Sequence, residues 1–190
     1  QLGGGPYRPD NDLASLWHTF VVPELAGGSG EQPLDLGVLE LQPSEISLDL
    51  ANPTADKPVS LGAGLSSAKL RPGQTFTIYV KARIAPGHHI YAMRNPGEKF
   101  TPTTLELTLP PSVTLGGDWM APPIRGRPDK TVSYVGDGWF RRYLKLEADA
   151  KPGTNKIACD FQYQVCNEEI CWPPAKQALE ANAEVIESQK

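Results

Sequence analysis

Thr75 to Ile84 reads Thr-Phe-Thr-Ile-Tyr-Val-Lys-Ala-Arg-Ile. Phe76, Ile78, Val80 and Ala82 fall on one face and Thr75, Thr77, Tyr79, Lys81 and Arg83 on the other. That two-residue period is the signature of a strand with one face buried and one wet, as in antiparallel sheets. The stretch is followed by Ala85-Pro86-Gly87, a turn signal, and then by a second strand candidate from His88 to Met93.

The same text continues downstream. Thr103 to Leu109 alternates and stops at Pro110-Pro111. Thr131 to Val135 and Phe140 to Leu146 flank Gly136-Asp137-Gly138, which predicts a hairpin. Lys156 to Val165 and Ala181 to Ile186 complete the set, with Lys176 to Glu180 less clearly patterned. Short strands with turns at close spacing predict an all-β fold, an immunoglobulin-like antiparallel β-sandwich, with a small β-barrel as the competing arrangement. No helix signature of useful length and no internal repeat is present.

Composition agrees. The chain holds 19 Pro and 18 Gly among 190 residues, which favours turns over long helices. Apolar residues make up 39%, enough for a core. A net charge of -4 leaves no basic footprint for nucleic acid. No run approaches the roughly 18 apolar residues of a membrane helix, so no direct membrane insertion by this chain is expected. Gly3-Gly4-Gly5-Pro6, Gly27-Gly28-Ser29-Gly30 and Asn52-Pro53-Thr54 punctuate the beginning. Residues 1–57 therefore read as an extended N-terminal leader or linker, with Leu16 to Val22 as a strand or docking segment, and residues 58–190 as the domain. Gln1-Leu2-Gly3-Gly4-Gly5 lacks the basic and apolar regions of a signal peptide, which leaves a cytosolic chain or a processed piece of an exported one.

The chemistry-bearing residues are cysteines. Cys159, Cys166 and Cys171 lie close together, and Cys166 is separated from Cys171 by Asn167-Glu168-Glu169-Ile170. A tight connection after a strand can bring two such Cα atoms to about 5.5 Å, the usual disulfide span. A loop this short removes only about 2 kcal/mol of unfolded-state entropy, so a redox role competes with a structural one. Cys159 shares a strand face with Phe161, Tyr163 and Val165 and reads as a buried, inert thiol. The Cys spacing does not suit zinc, and no metal or other cofactor is expected. Glu168 and Glu169 disfavour a thiolate, so the pair is better suited to being attacked as a disulfide than to attacking. His88 and His89 could tune a thiol or, with Met93, bind copper; a packed and a solvated histidine is the plainer reading. Arg125, Arg127 and Lys130 form a basic loop suited to steering an acidic partner or simply to solvent. Trp172 suits a docking surface or a sheet-edge cap.

Phe161-Gln162-Tyr163-Gln164-Val165-Cys166, followed by Cys171-Trp172-Pro173-Pro174, resembles the N-terminal periplasmic domain of the DsbD family of bacterial disulfide reductases. Pro86-Gly87-His88-His89-Ile90-Tyr91 resembles the family's Gly-aromatic strand start, and Trp119 to Pro128 its cap loop. The resemblance covers roughly residues 58–188 and departs in the loop between the cysteines, which has four residues instead of five. It implies an immunoglobulin-like fold, a periplasmic location and a thiol–disulfide oxidoreductase of protein-disulfide reductase type. Cys171 would form mixed disulfides and Cys166 resolve them. Trp119, Met120, Pro123, Ile124, Tyr91, His89, Tyr163 and Trp172 would surround the pair, with Ile124 or Met120 as the shield. The implied partners are thioredoxin-fold electron donors and acceptors, the donor linked to the membrane in the same longer protein or a separate one. The alternative is an immunoglobulin-like protein-binding module whose hairpin disulfide is purely structural.

Overall fold

The computed structural model describes residues 46–94 and 100–187. Leu16 to Val22 and the predicted leader as far as residue 45 lie outside the described residues. Among those described, no helix is long and apolar enough to cross a membrane.

Strand β3, Thr75–Ile84, realises its alternation: Phe76, Ile78, Val80, Ala82 and Ile84 are buried, while Tyr79, Lys81 and Arg83 are half-exposed. Thr77 is buried as well; its N–H donates to Ser66 Oγ and its C=O accepts from Ser66 N–H. β3 sits between β1, Val59–Leu65, and β9, Asp137–Leu146, with β6, Val113–Leu115, on the far edge; all neighbours are antiparallel. A second sheet has the order β2 (Lys69–Leu70), β12 (Ala175–Val185), β10 (Gly153–Tyr163), β5 (Thr104–Thr108). Only the β2–β12 pair in it is parallel. The inner faces of the two sheets form one core, and its largest side chains cross between them: Phe140 of β9 meets Phe161 of β10 edge to face at 5.3 Å. Each such ring removed from water contributes on the order of 1.5–3 kcal/mol, so the fold is an antiparallel sandwich of immunoglobulin-like kind held by apolar burial.

The end of the predicted leader lies against this sandwich. Leu48 and Leu50 approach Gly62 and Gly64 of β1 so closely that a Cβ on Gly62 would meet Leu50 Cδ2 at 2.5 Å. Arg83 Nη1 donates to Leu50 O at 3.1 Å and Asn52 Oδ1 at 3.0 Å.

A third sheet closes one end of the sandwich, in the order β11 (Val165–Cys166), β4 (His89–Tyr91), β8 (Val132–Tyr134), β7 (Arg125–Gly126). It is built from continuations of both main sheets. β4 follows β3 through Ala85-Pro86-Gly87, where His88 N–H donates to Ala85 O at 3.0 Å and Gly87 takes φ +76°; Pro then Gly is what a type II turn needs. β11 follows β10 after Gln164. Gly136-Asp137-Gly138 is not a hairpin: β8 pairs with β4 and β7, whereas β9 pairs with β3 and β6. Ile84 N–H donates to Gly136 O, which hands the chain from one sheet to the other. Lys176–Glu180 and Ala181 onward, separate in the sequence pattern, are one strand, β12, which ends at Val185; Lys176, Gln177 and Ala178 are all exposed and so carry no alternation.

Register divides the third sheet into two faces. Ile90, opposite both Val165 and Tyr134, is buried in the core with them. His89, opposite Cys166, and Tyr91, opposite Ser133, share the other face.

Candidate active site

Cys166 ends β11, and the four residues after it fold back on the Asn167 side chain. Asn167 Oδ1 accepts from Glu169 N–H at 2.9 Å and Ile170 N–H at 2.6 Å, and Asn167 N–H donates to Ile170 O at 2.9 Å. This Asx turn is what a short polar residue at the head of a tight loop favours. The chain returns so that Cys171 opposes Cys166 in an isolated antiparallel bridge, and the two form a disulfide with Cα atoms 4.1 Å apart. The span is below the common value of about 5.5 Å because the pair occupies a non-hydrogen-bonded cross-strand position, where Cα atoms approach to about 4.5 Å. Trp172 N–H donates to Val165 O at 3.0 Å and closes the ladder beyond it.

Gln164 clamps the arrangement. Its Nε2 donates to Trp172 O at 3.1 Å, and its Oε1 accepts from Thr101 N–H at 2.9 Å. The Trp172 ring lies 5.5 Å from that of His88. The two sulfur-bearing residues are unequal: Cys166 is 1% exposed and Cys171 is exposed. Exposed Ile170, Pro173 and Pro174 border Cys171.

The Tyr91 hydroxyl reaches both sulfurs, at 3.5 Å from Cys166 Sγ and 3.9 Å from Cys171 Sγ. With the sulfurs bonded to each other, the hydroxyl is the donor, and burial raises its pKa so that it keeps its proton. Phe100 stacks on the Tyr91 ring at 4.5 Å and the His89 ring meets it edge-on at 5.3 Å. His89 is 3% exposed and Arg127 Nη1 lies 3.3 Å from its Nδ1. Burial first, then the Arg127 charge, lower the His89 pKa to about 4, against a smaller opposing pull from Asp129. An open groove of about 330 Å³ runs alongside, lined by Pro86, His88, His89, Arg127, Val135 and Glu168 among others.

A cystine with one exposed and one buried sulfur, a shared hydroxyl donor and no buried carboxylate among its described neighbours is suited to thiol–disulfide exchange. Residues 63–183 match the family described as thiol:disulfide interchange protein DsbD, N-terminal. The chain belongs to this family. The solved structures it resembles include the N-terminal periplasmic domain of ScsB from Proteus mirabilis, 17% identical with a TM-score of 0.43, covering 69% of this chain and 49% of that one. The chain thus spans about half the length of that ScsB domain. The DsbD N-terminal domain of Neisseria meningitidis in its reduced form is 15% identical with a TM-score of 0.34, covering 56% and 80%. A complex of the DsbD N-terminal and PilB N-terminal domains from the same organism gives 16%, 0.36, 55% and 73%. No curated protein matches the chain.

Around the DsbD-type cysteine pair the fold gathers Tyr91 and His89 from β4 and Trp172 from the returning strand. Tyr163, near the end of β10, packs against Phe161 at 5.8 Å. The expected cap loop divides. Trp119 Nε1 donates to Leu105 O at 3.1 Å and Met120 bridges to Arg141 of β9, both on the main sandwich, while Pro123 and Ile124 are exposed. Its far end returns as β7 and delivers Arg127 to His89. Phe100 and Arg127 carry no periodic signal in the sequence; each meets the site only through the tertiary fold. The acidic surroundings expected from Glu168 and Glu169 are also incomplete, since His88, His89 and Arg127 arrive from other strands.

The depressed histidine has a consequence for stability. In the unfolded chain His89 takes up a proton near pH 6.5, in the folded chain near 4, so acid favours unfolding between those values. Stability that is fully present above about pH 6.5 is expected to fall by on the order of 2 kcal/mol by pH 4.5, and a His89→Phe chain should lack that component. Urea midpoints of both chains at pH 7 and 4.5 measure it; equal acid losses would exclude His89 as the source.

Proposed function

We propose that residues 58–190 form a periplasmic thiol–disulfide shuttle of protein-disulfide reductase type, preceded by a leader, with Cys171 the attacked and attacking sulfur and Cys166 the resolving one. The observation that carries the reading is the unequal exposure of the two bonded cysteines on the polar face of the third sheet. In the oxidised domain the thiolate of a thioredoxin-like, membrane-linked donor attacks Cys171 Sγ, and the electron pair of the broken bond leaves on Cys166 Sγ. The donor's second thiolate then displaces Cys171, so that the donor ends as a disulfide and the domain as a dithiol. In the next cycle the Cys171 thiolate attacks a disulfide of a periplasmic thioredoxin-fold acceptor. Cys166 closes on Cys171, releasing the acceptor reduced. Ile170, Pro173 and Pro174 around Cys171 offer the apolar seat such a partner needs.

Support for a working bridge also comes from its size. A sequence separation of 5 closes a loop worth only about 2 kcal/mol of unfolded-state entropy, little for a domain with this core. The deciding measurement is the reduction potential of the pair, by alkylation and mass spectrometry across graded thiol buffers. A value within roughly -120 to -270 mV, with the fold intact in both states, is expected for a shuttle. A value well below about -300 mV, or unfolding on reduction, would make the bridge structural and the domain a binding module.

A further inference from the structure

Two buried polar side-chain atoms, His89 Nε2 and Ser133 Oγ, have no hydrogen-bond partner among the described residues. Both residues stand on the outward face of the third sheet, the face that carries Cys166. His89 is the register partner of Cys166 across the β4–β11 pair, and directly opposed residues hold their Cβ atoms about 5 Å apart.

The orphaned atom is a donor. Arg127 has only N–H groups to offer, so at 3.3 Å from its Nη1 the His89 Nδ1 must accept, which leaves the ring proton on Nε2. The ring is neutral near pH 7, since its pKa lies at about 4. A buried donor left unpaired is uncommon and costly, and here it belongs to the cross-strand partner of the cysteine whose sulfur changes charge. In the disulfide, Cys166 Sγ is uncharged and a weak acceptor. When a thiolate attacks Cys171 Sγ, the new sulfur–sulfur bond forms there, the Cys166–Cys171 bond breaks, and its electron pair becomes a full negative charge on Cys166. At 1% exposure that charge has little water to meet. Tyr91 supplies one hydroxyl.

We propose that His89 Nε2–H is the second donor, idle in the disulfide and engaged by the Cys166 thiolate as it leaves, with the Arg127 guanidinium behind the ring. The assignment rests on the exchange reading of the bridge and adds to it the group that receives the leaving charge. The other charged or titratable groups about the ring are Tyr91, His88 against Trp172, Asp129 bonded to Thr131, and Glu168 on the groove. None of these is the register partner of Cys166.

The test separates the donor from the exchange activity. In a Cys171→Ser chain Cys166 is the remaining thiol of the pair, and its pKa is read by ultraviolet thiolate absorbance against a Cys171→Ser, Cys166→Ser chain that retains Cys159, whose thiol burial pushes up to about 12. His89→Phe is expected to weaken Cys166 as an acid about tenfold, the value of a lost hydrogen bond to a charged group. His89→Gln, whose amide N–H can stand in for Nε2–H, should restore most of it. In the chain with its disulfide, His89→Phe should slow reduction by dithiothreitol about tenfold, again with recovery in His89→Gln. A second readout needs no variant at His89: the imidazole Nε2–H resonance should move downfield between the disulfide chain and the Cys171→Ser thiolate. An unchanged Cys166 pKa in His89→Phe, or an unmoved Nε2–H resonance where that variant does not fold, overturns the assignment. A parent disulfide inert to dithiothreitol, with the Cys166 pKa responding as expected, would instead defeat the exchange reading and leave the donor in place.

Discussion

A Cys166→Ser chain, mixed with a thioredoxin-fold protein whose second active-site cysteine is replaced and whose remaining one carries 5-thio-2-nitrobenzoate as the leaving group, is expected to accumulate as a stable mixed disulfide, while a Cys171→Ser chain is not. The difference in trapped product should be on the order of a hundredfold, because exchange needs a reachable thiolate and a reachable sulfur in line with it. Cys171 is exposed beside Pro173 and Pro174, whereas Cys166 is buried at 1% exposure. Removing Cys166 leaves the attacker without its resolving partner, so the adduct persists. Removing Cys171 leaves a thiol that no folded partner can approach. Non-reducing electrophoresis over a time course reads both. Equal yields from the two variants would refute the assignment of roles, and a higher yield from Cys171→Ser would reverse it.

Phe161→Ala should destabilise the domain by about 3–5 kcal/mol, and Phe161→Leu by clearly less. The ring is fully buried, meets Phe140 edge to face across the two sheets, and meets Tyr163 at 5.8 Å on its own strand. Its removal takes away apolar transfer energy and leaves a cavity at the point where one sheet is keyed to the other. For a domain of this size the loss corresponds to a fall in Tm of about 10 °C or more. Because Val165 and Cys166 continue from the same strand, the variant should also reduce protection of the third sheet in hydrogen exchange. Urea unfolding gives the free energy directly. A loss under about 1 kcal/mol would mean that the sheets are keyed elsewhere.

Legibility in the sequence followed strand length. Thr75–Ile84 shows its alternation because five buried positions on one face leave little ambiguity, and Lys156–Val165 shows it through buried Ile157, Cys159 and Phe161, whereas Thr103–Leu109 is legible from its alternating residue types and the Pro110-Pro111 stop. The cysteine pair was visible through its spacing and the Trp-Pro-Pro that follows. The short strands β7 and β11 have two residues each and show no period, yet they set the faces of the site. Gly136-Asp137-Gly138 misled because the same residues that suit a hairpin also suit a change of sheet; which one forms depends on the partners of the flanking strands. His89, Arg127 and Phe100 could not be brought to the sulfurs from sequence, since each contact spans distinct elements and rests on the third sheet being assembled.

Cys159 sits in mid-strand in β10, between Leu107 and Leu179, with no exposure and a thiol pushed up to about 12 by burial. Three cysteines can pair in three ways, and two of those would tie Cys159 into a bridge that β10 could not accommodate. Oxidative folding is therefore expected to depend on order: with β5 and β12 paired to β10, Cys159 is buried away from any oxidant, and the remaining two thiols meet by local collision. An inner strand of the second sheet would in this way guard the choice of bridge, and slower pairing of β10 is expected to appear as scrambled isomers rather than as a less stable domain.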